Sequence, residues 1–99
     1  MFDKMKQLME LKKQADQIKR DLDASIIEVN DVRGIKIAIN GSQNFNSIDI
    51  DASYLKAENK QKLESDLLKS LNAAVRKSQA VAAQKMKDVM PGLSGFPGM

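Results

Sequence analysis

The sequence predicts an α+β protein in which a long helix, a three-stranded antiparallel meander and a second long helix follow one another. Two stretches with apolar residues every three or four positions enclose one in which β-branched residues alternate with polar ones. The chain of 99 residues ends in a cluster of proline and glycine. We therefore predict one domain over residues 1–90, long enough for a single core, and a flexible tail over 91–99.

The first helix is predicted from about Asp3 to Ala24. Neither glycine nor proline interrupts this stretch, and its apolar residues recur at spacings of three and four, as on one face of an amphipathic helix. The apolar seam comprises Leu8, Leu11, Ala15, Ile18 and Leu22.

Three strands are predicted at about residues 25–30, 35–40 and 45–51. Isoleucines alternate with other residues in the central segment, which is the period of a half-buried strand. The turn clusters Asp31–Gly34 and Asn40–Asn44 separate the strands, because glycine and asparagine tolerate a positive φ. Such short connections predict an antiparallel meander.

The second helix is predicted from about Ala57 to Met90, where Pro91 and Gly92 end it. Asp51 or Ser53 is expected to cap a short turn before it. When each residue is advanced by 100°, one side of the helix collects small and apolar residues. These are Leu63, Leu67, Leu71, Ala74, Val75, Ser78, Val81, Ala82 and Val89.

The length of the second helix predicts a homodimer. A helix of over thirty residues extends about 45–50 Å, whereas a compact globule of this size is about 34 Å across. Val81, Met86 and Val89 continue the apolar face along the overhang, where an identical copy is the simplest cover. A twofold mate would also pair with or hide an edge strand of the small sheet. In the alternative interpretation, the last helix bends back or frays and the protein stays a monomer.

The distribution of charge suggests a partner more clearly than the net charge of +3. Four basic residues lie within about 40° of one another on the second helix, opposite its apolar face. They are Lys62, Lys69, Arg76 and Lys87. Lys77 flanks this stripe and Asp66 interrupts it. The stripe is about 37 Å long, close to one turn of double-stranded DNA, and favours phosphate contacts with little sequence specificity. A merely solvated face is the alternative interpretation.

The first helix carries a second, weaker set of candidates for nucleic-acid binding. Its basic residues include Lys12, Lys13, Lys19 and Arg20. Asp16 and Asp23 lie three or four residues from several of them, a spacing that suits ion pairs within a helix. The favoured interpretation of this face is therefore a solvated surface of internal ion pairs.

Composition argues against most enzyme classes. The chain has no histidine and no cysteine, which excludes Ser-His-Asp and Cys-His catalysis and the usual zinc hydrolases. Enzymes built on carboxylates, lysine or a bound cofactor remain possible, but no glycine-rich phosphate loop is present. Asp49 and Asp51 would share one side of a strand, yet a helix cap and a solvated edge residue explain them better than a metal site does. We expect no enzyme activity, cofactor, metal or small-molecule substrate.

The predicted location follows from what the sequence lacks. No apolar run approaches the roughly 20 residues that cross a bilayer, and the first residues lack the apolar region of a secretory signal. We therefore expect a soluble cytoplasmic protein without a membrane partner.

A family resemblance emerges from the order of several segments. Met1-Phe2 opens a first helix rich in methionine and glutamine, and the strand Gly34–Gly41 is followed by Ile48–Asp51. The helical segment Leu71–Lys77 and a tail ending in Phe96–Met99 complete the series. In this order and spacing the chain resembles, over nearly its whole length, the YbaB/EbfC family of bacterial nucleoid-associated proteins.

The resemblance implies a helix–three-strand–helix protomer, a tweezer-like homodimer, and DNA binding of low specificity in nucleoid organisation or gene regulation. The DNA contacts of the family are attributed to its helices, which here correspond to the stretches Lys12–Arg20 and Lys69–Lys87. One departure is Ala52, where relatives often carry proline, a residue suited to the first position of a helix.

Two functional hypotheses follow from the sequence. The first is a homodimer that binds double-stranded DNA. The second is a dimeric protein–protein adaptor that does not bind DNA and is indifferent to charge reversal at Arg76 and Lys77.

Overall fold

A computed structural model describes residues 2–89, with side chains from residue 4 to residue 88. The elements, in chain order, are α1 (Phe2–Ala24), β1 (Ile26–Val29), β2 (Ile35–Asn40), β3 (Phe45–Ile50) and α2 (Lys60–Val89). This order confirms the predicted α+β class. The predicted tail, 91–99, lies outside the described residues.

Two short 3-10 turns, Ala52–Tyr54 and Ala57–Asn59, connect the sheet to α2. Asp51 caps the first turn as predicted, because its Oδ1 accepts a hydrogen bond of 3.0 Å from the backbone N–H of Ser53. The second turn has no side-chain cap. It occupies the start predicted for the second helix, so the α-helical part begins at Lys60, three residues later than expected.

The three strands form an antiparallel meander in the order β1-β2-β3. Ile37 of β2 lies between Val29 of β1 and Ile48 of β3 in the register. The isoleucines at 35, 37 and 39 are all buried, whereas the alternate residue Lys36 is exposed. One face of β2 therefore carries the core, as its alternating sequence predicts.

Helix α2 packs against β1 and β2 through a line of small residues. Ala73 and Ala74 belong to the buried core, and the hydroxyl residues Ser70 and Ser78 are buried on the same helix. Leu63, Leu67 and Leu71 pack around this core as half-buried residues. Small residues at the contact let the helix backbone approach the sheet closely, because little side-chain volume separates them.

Helix α1 has much less cover than its apolar seam predicts. Ile18 is buried and Leu22 is half-buried near the end of the helix, but Leu8 is 66% and Leu11 is 53% exposed. Only the last part of α1 lies against α2 and β2. The rest of the seam projects from the protomer without a second layer.

The molecule is elongated, as the length of α2 requires. The described chain measures 67 × 24 × 16 Å and has a radius of gyration of 18.8 Å, against about 13 Å for a compact chain of this size. Helix α2 continues without interruption to Val89, so the alternative of a helix that bends back is wrong. Val81 and Ala82 are half-buried, so part of the overhang is covered within one chain.

Asn40 joins α1, the sheet and α2 at one point. Its Nδ2 donates to the carbonyl oxygen of Asp23 at 3.4 Å, and its Oδ1 accepts from the backbone N–H groups of Ser42 and Asn44. The buried hydroxyl of Ser78 donates to its carbonyl oxygen at 2.7 Å. These bonds fix where the two long helices leave the sheet.

Candidate nucleic-acid interface

The outer face of α2 carries the predicted basic stripe. Its buried residues, such as Ala74 and Ser78, face the sheet, so residues about 180° away on the helix point to solvent. The exposed members there are Lys62, Lys69, Arg76 and Lys87. The structure therefore brings these four cations onto one side of a single helix, spread over about 37 Å.

Few acidic side chains neutralise this face. Between residues 4 and 88, where side chains are described, the ion pairs shorter than 4 Å are Lys60–Glu64 at 2.7 Å and Lys77–Asp31 at 2.6 Å. Neither pair includes one of the four cations of the stripe. Their charges are thus directed into solvent, where an anion can approach them.

Lys77, which flanks the predicted stripe, differs from its four cations because it forms an ion pair. Its Nζ is 2.6 Å from Oδ1 of Asp31, in the turn between β1 and β2. The two residues are 46 positions apart in the chain, so no helical spacing reveals the pair. As one partner of an ion pair, Lys77 attracts an anion less strongly than a free lysine does.

Asp66, which the sequence places within the stripe, is directed toward Tyr54 in the structure. It is half-buried, and its Oδ2 lies 2.9 Å from the hydroxyl of Tyr54. The same hydroxyl lies 3.1 Å from the carbonyl oxygen of Arg33, so its single proton serves one acceptor at a time. The hydrogen bond to Asp66, together with burial, raises the pKa of Tyr54 above its ordinary value.

A polar groove opens beside Tyr54, at the beginning of the stripe. Lys62 lies over the tyrosine ring, with Nζ 5.9 Å from the ring centre, at the outer limit of a cation–π contact. The groove has a volume of about 400 Å³ and is lined by Arg33, Asp51, Ser53, Tyr54, Asn59 and Lys62. Arg33 is not among the residues predicted from the sequence to bind nucleic acid; the one signal for it is that it is the only basic residue of the β1–β2 turn.

The basic face of α1 differs from the prediction. Lys12, Lys13, Lys19 and Arg20 are exposed. The expected ion pairs with Asp16 and Asp23 are not formed among the described side chains.

The acidic residues and Arg20 have other partners on this helix. Asp23 accepts a hydrogen bond from the hydroxyl of Ser42, and Asp21 accepts one from Gln17 at 2.9 Å. Arg20 donates to Gln17 at 3.3 Å. The predicted internal ion pairs are therefore wrong, whereas the face is solvated as expected. For Asp23, the β2–β3 turn supplies another donor, the hydroxyl of Ser42.

Other site types receive little support. In the described part of the chain, no group of three or more acidic residues is placed to hold a metal ion. Asp51 is the cap described above, and Asp49 is exposed on the edge strand β3. Neither α1 nor α2, over residues 2–89, is both long and apolar enough to span a lipid bilayer.

Sequence comparisons relate the chain to a family defined by DNA binding. The model of the YbaB/EbfC DNA-binding family matches residues 1–93. A nucleoid-associated protein of Ruminiclostridium cellulolyticum is 30% identical over 96 residues, covering 96% of this chain and 84% of the relative. Another nucleoid-associated protein, from Syntrophobacter fumaroxidans, is 27% identical over 99 residues, covering 99% of this chain and 89% of the relative.

Structural comparison gives the same fold. The crystal structure of an uncharacterized protein from Helicobacter pylori superposes with a TM-score of 0.71 and covers 96% of this chain and 98% of its own. Sequence identity to that protein is 20%.

Proposed function

Since this chain belongs to the YbaB/EbfC DNA-binding family, we propose that it binds double-stranded DNA as a homodimer through its basic helix faces. It acts as a binding protein rather than as an enzyme. The names of its relatives, nucleoid-associated proteins, support a location on the bacterial chromosome and a part in its organisation or in gene regulation.

The observation that carries this proposal is the stripe on α2. Lys62, Lys69, Arg76 and Lys87 are exposed, have no ion-pair partner among the described side chains, and share one face of a rigid helix. Phosphates of duplex DNA present a regular line of negative charge on a similar length scale. Because the helix fixes the backbone positions of the four cations, only their side chains have to be ordered when DNA binds.

Low sequence specificity follows from the type of contact. Lysine and arginine side chains that reach phosphates position a protein on the duplex but do not distinguish one base pair from another. On α1, Lys12, Lys13, Lys19 and Arg20 add exposed cations that are free to make the same kind of contact.

The second protomer is proposed to dock on the β3 side of the sheet. Phe45 and Ile48 project from β3 on the same face as the core isoleucines, yet they are 45% and 48% exposed. Helix α2 packs over β1 and β2 and leaves this strip uncovered. Leu68 of α2 is also exposed, at 61%. An uncovered apolar strip beside an unpaired strand edge suits an isologous contact between two copies.

Dimerisation multiplies the phosphate contacts. Four cations of the stripe in each protomer give eight in a dimer. If all eight contact phosphates, the logarithm of the binding constant falls with the logarithm of salt concentration with a slope of about −7. A single protomer with four contacts gives a slope of only about −3.6.

The test is fluorescence anisotropy of a labelled duplex of about 30 base pairs titrated with protein between about 50 and 200 mM salt. We expect submicromolar to micromolar binding at low salt that weakens at least a hundredfold over this range. Absence of binding at low salt, or an affinity indifferent to salt, overturns the proposal.

A matched pair of variants separates the stripe from overall charge. Lys69→Gln removes an exposed cation from the stripe, and Lys36→Gln removes one from the outer face of the sheet. We expect Lys69→Gln to lower the affinity several-fold and to make the slope shallower by up to about 1.8 for two contacts per dimer. Lys36→Gln is expected to do much less. Equal effects of both variants contradict a localised site.

The apolar residues of α1 are the one observation that favours the adaptor function instead. Met5, Leu8, Met9 and Leu11 are all more than half exposed, and flexible methionines suit an adaptable protein contact. An adaptor requires no duplex binding, so the same salt titration decides between the two functions.

A further inference from the structure

We propose that Arg33 and Lys62 form a seat for one phosphodiester group of the DNA backbone, in the groove beside Tyr54. This inference rests on the proposed DNA binding and extends it from the helices to the turn between β1 and β2. The seat lies where the stripe of α2 begins, because Lys62 belongs to both.

The groove combines groups that suit a phosphate from three separate segments. Arg33 comes from the β1–β2 turn, Ser53 from the turn after β3, and Lys62 from the first turns of α2. Arginine offers a planar fork of donors to phosphate oxygens, and lysine adds a compact positive charge. The Tyr54 ring also lines the groove, with Nζ of Lys62 5.9 Å from its centre.

The acidic residues near the groove are engaged by the protein itself. Asp51 accepts a hydrogen bond from the backbone N–H of Ser53, and Asp66 accepts one from the hydroxyl of Tyr54. Their remaining negative charge opposes that of an incoming anion. Arg33 and Lys62 outnumber Asp51, the one acidic residue of the lining, so the lining keeps a net positive charge that attracts a phosphodiester.

The β1–β2 turn affects the positive charge along α2 in two opposite ways. Its Asp31 pairs with Lys77 and so lowers the attraction of that lysine for an anion. Two residues later, Arg33 is exposed and has no acidic partner within 4 Å among the described side chains. The turn thus reduces the free positive charge at Lys77, in the middle of α2, and adds the charge of Arg33 near the beginning of the helix.

The backbone that carries Arg33 is held in place. The N–H of Ile35 donates to the carbonyl oxygen of Val32 at 3.1 Å, and the N–H of Asp51 donates to the carbonyl oxygen of Gly34 at 2.8 Å. Gly34 has a φ of +92°, and a Cβ there would lie 2.9 Å from Cε2 of Tyr54. A fixed backbone leaves only the arginine side chain to be ordered when a phosphate binds.

The test compares Arg33→Gln with Lys36→Gln, which removes a charge three residues away on the exposed face of β2. In the salt titration, we expect Arg33→Gln to weaken duplex binding several-fold and to make the slope shallower by up to about 1.8 per dimer. Arg33→Lys keeps the charge and is expected to keep the slope. Lys36→Gln is expected to retain the slope of the unsubstituted protein.

A second readout uses the single tyrosine of the chain. With ¹³C-labelled tyrosine, one set of ring signals in the NMR spectrum reports on the groove directly. We expect these signals to shift when duplex is added and to shift much less in Arg33→Gln. Circular dichroism and sedimentation check that the variant keeps its fold and its mass.

The outcomes separate this inference from the proposed function. If the unsubstituted protein does not bind duplex, the proposed function fails. If it binds with a steep salt dependence while Arg33→Gln keeps the full slope, or while the tyrosine signals do not move, only the phosphate seat is overturned. A change in oligomeric mass in Arg33→Gln also overturns it, since Arg33 then acts at a protein contact.

Discussion

Two regions of the molecule carry the same apolar periodicity with opposite results. In the head, formed by the sheet and α2 up to Ser78, Leu63, Leu67 and Leu71 of α2 are half-buried around the isoleucine core. In the arm, formed by α1 and the end of α2, Leu8 and Leu11 are exposed although they have the same spacing. The periodicity determines which side of a helix is apolar, whereas the neighbouring elements determine whether that side is covered.

The number of packed layers explains the difference. The head has a sheet on one side of α2, and small residues such as Ala74 bring the two layers close together. The arm has only two helices, which are both tied to Asn40 and lie together over a short length. The head is therefore expected to determine the stability of the protomer. The arm is expected to determine how far from the head the basic residues of the helices extend.

The largest expected effect is on the stability of the head. Ile37→Ala removes a fully buried side chain from the centre of β2 and is expected to lower the free energy of unfolding by about 2–5 kcal/mol. Leu8→Ala, the matched change in the arm, is expected to lower it by less than about 0.5 kcal/mol. Urea unfolding followed by circular dichroism measures both. Similar losses contradict the division into a packed head and a bare arm.

A second pair of variants locates the dimer contact. Ile48→Asp places a charge in the uncovered strip of β3 and is expected to weaken dimerisation by at least about 2 kcal/mol. Its sedimentation mass then falls toward that of one 11.0 kDa chain. Leu8→Asp places the same charge in the arm and is expected to leave the mass unchanged. If Leu8→Asp lowers the mass and Ile48→Asp does not, the dimer contact lies on α1 and not on the sheet.

The junction between head and arm is expected to contribute less. Ser78→Ala removes one of the donors to the carbonyl oxygen of Asn40, which keeps the N–H of Gln43 at 3.2 Å, and is expected to cost about 0.5–1.5 kcal/mol. Ser65→Ala, on the exposed face of α2, is the control and is expected to be neutral or slightly stabilising. Urea unfolding again provides the measurement. A neutral Ser78→Ala contradicts the role of this hydrogen bond.

The smallest expected effect concerns the ion pair between Lys77 and Asp31. Lys77→Gln breaks a solvent-exposed contact and is expected to change the free energy of unfolding by less than about 1 kcal/mol. Because this lysine is already paired, its loss is expected to weaken duplex binding less than Lys69→Gln does. An equal or larger loss of affinity shows that DNA displaces Asp31.

Local patterns in the sequence predict much of this molecule. The alternation of Ile35, Ile37 and Ile39 identifies the core strand, and spacings of seven and eleven residues identify the stripe on α2. These features depend only on the geometry of one strand or one helix. The order and approximate bounds of the helices and strands follow from the same patterns.

Contacts between distant segments could not be predicted in this way. The pairing of Lys77 with Asp31, the contact between Tyr54 and Asp66, and the groove at Arg33 all depend on how the turns lie against α2. The charge pairs expected within α1 failed for a related reason. Spacing allowed them, but the neighbouring turn gave Asp23 another partner.

The most direct test of homodimeric DNA binding is the mass of the complex with a labelled duplex of about 20 base pairs, measured by sedimentation equilibrium at low salt. We expect one duplex with two protomers, an added mass of twice 11.0 kDa, and loss of the complex as salt is raised. A complex with one protomer per duplex contradicts the homodimer. No complex at low salt contradicts DNA binding through the basic helix faces.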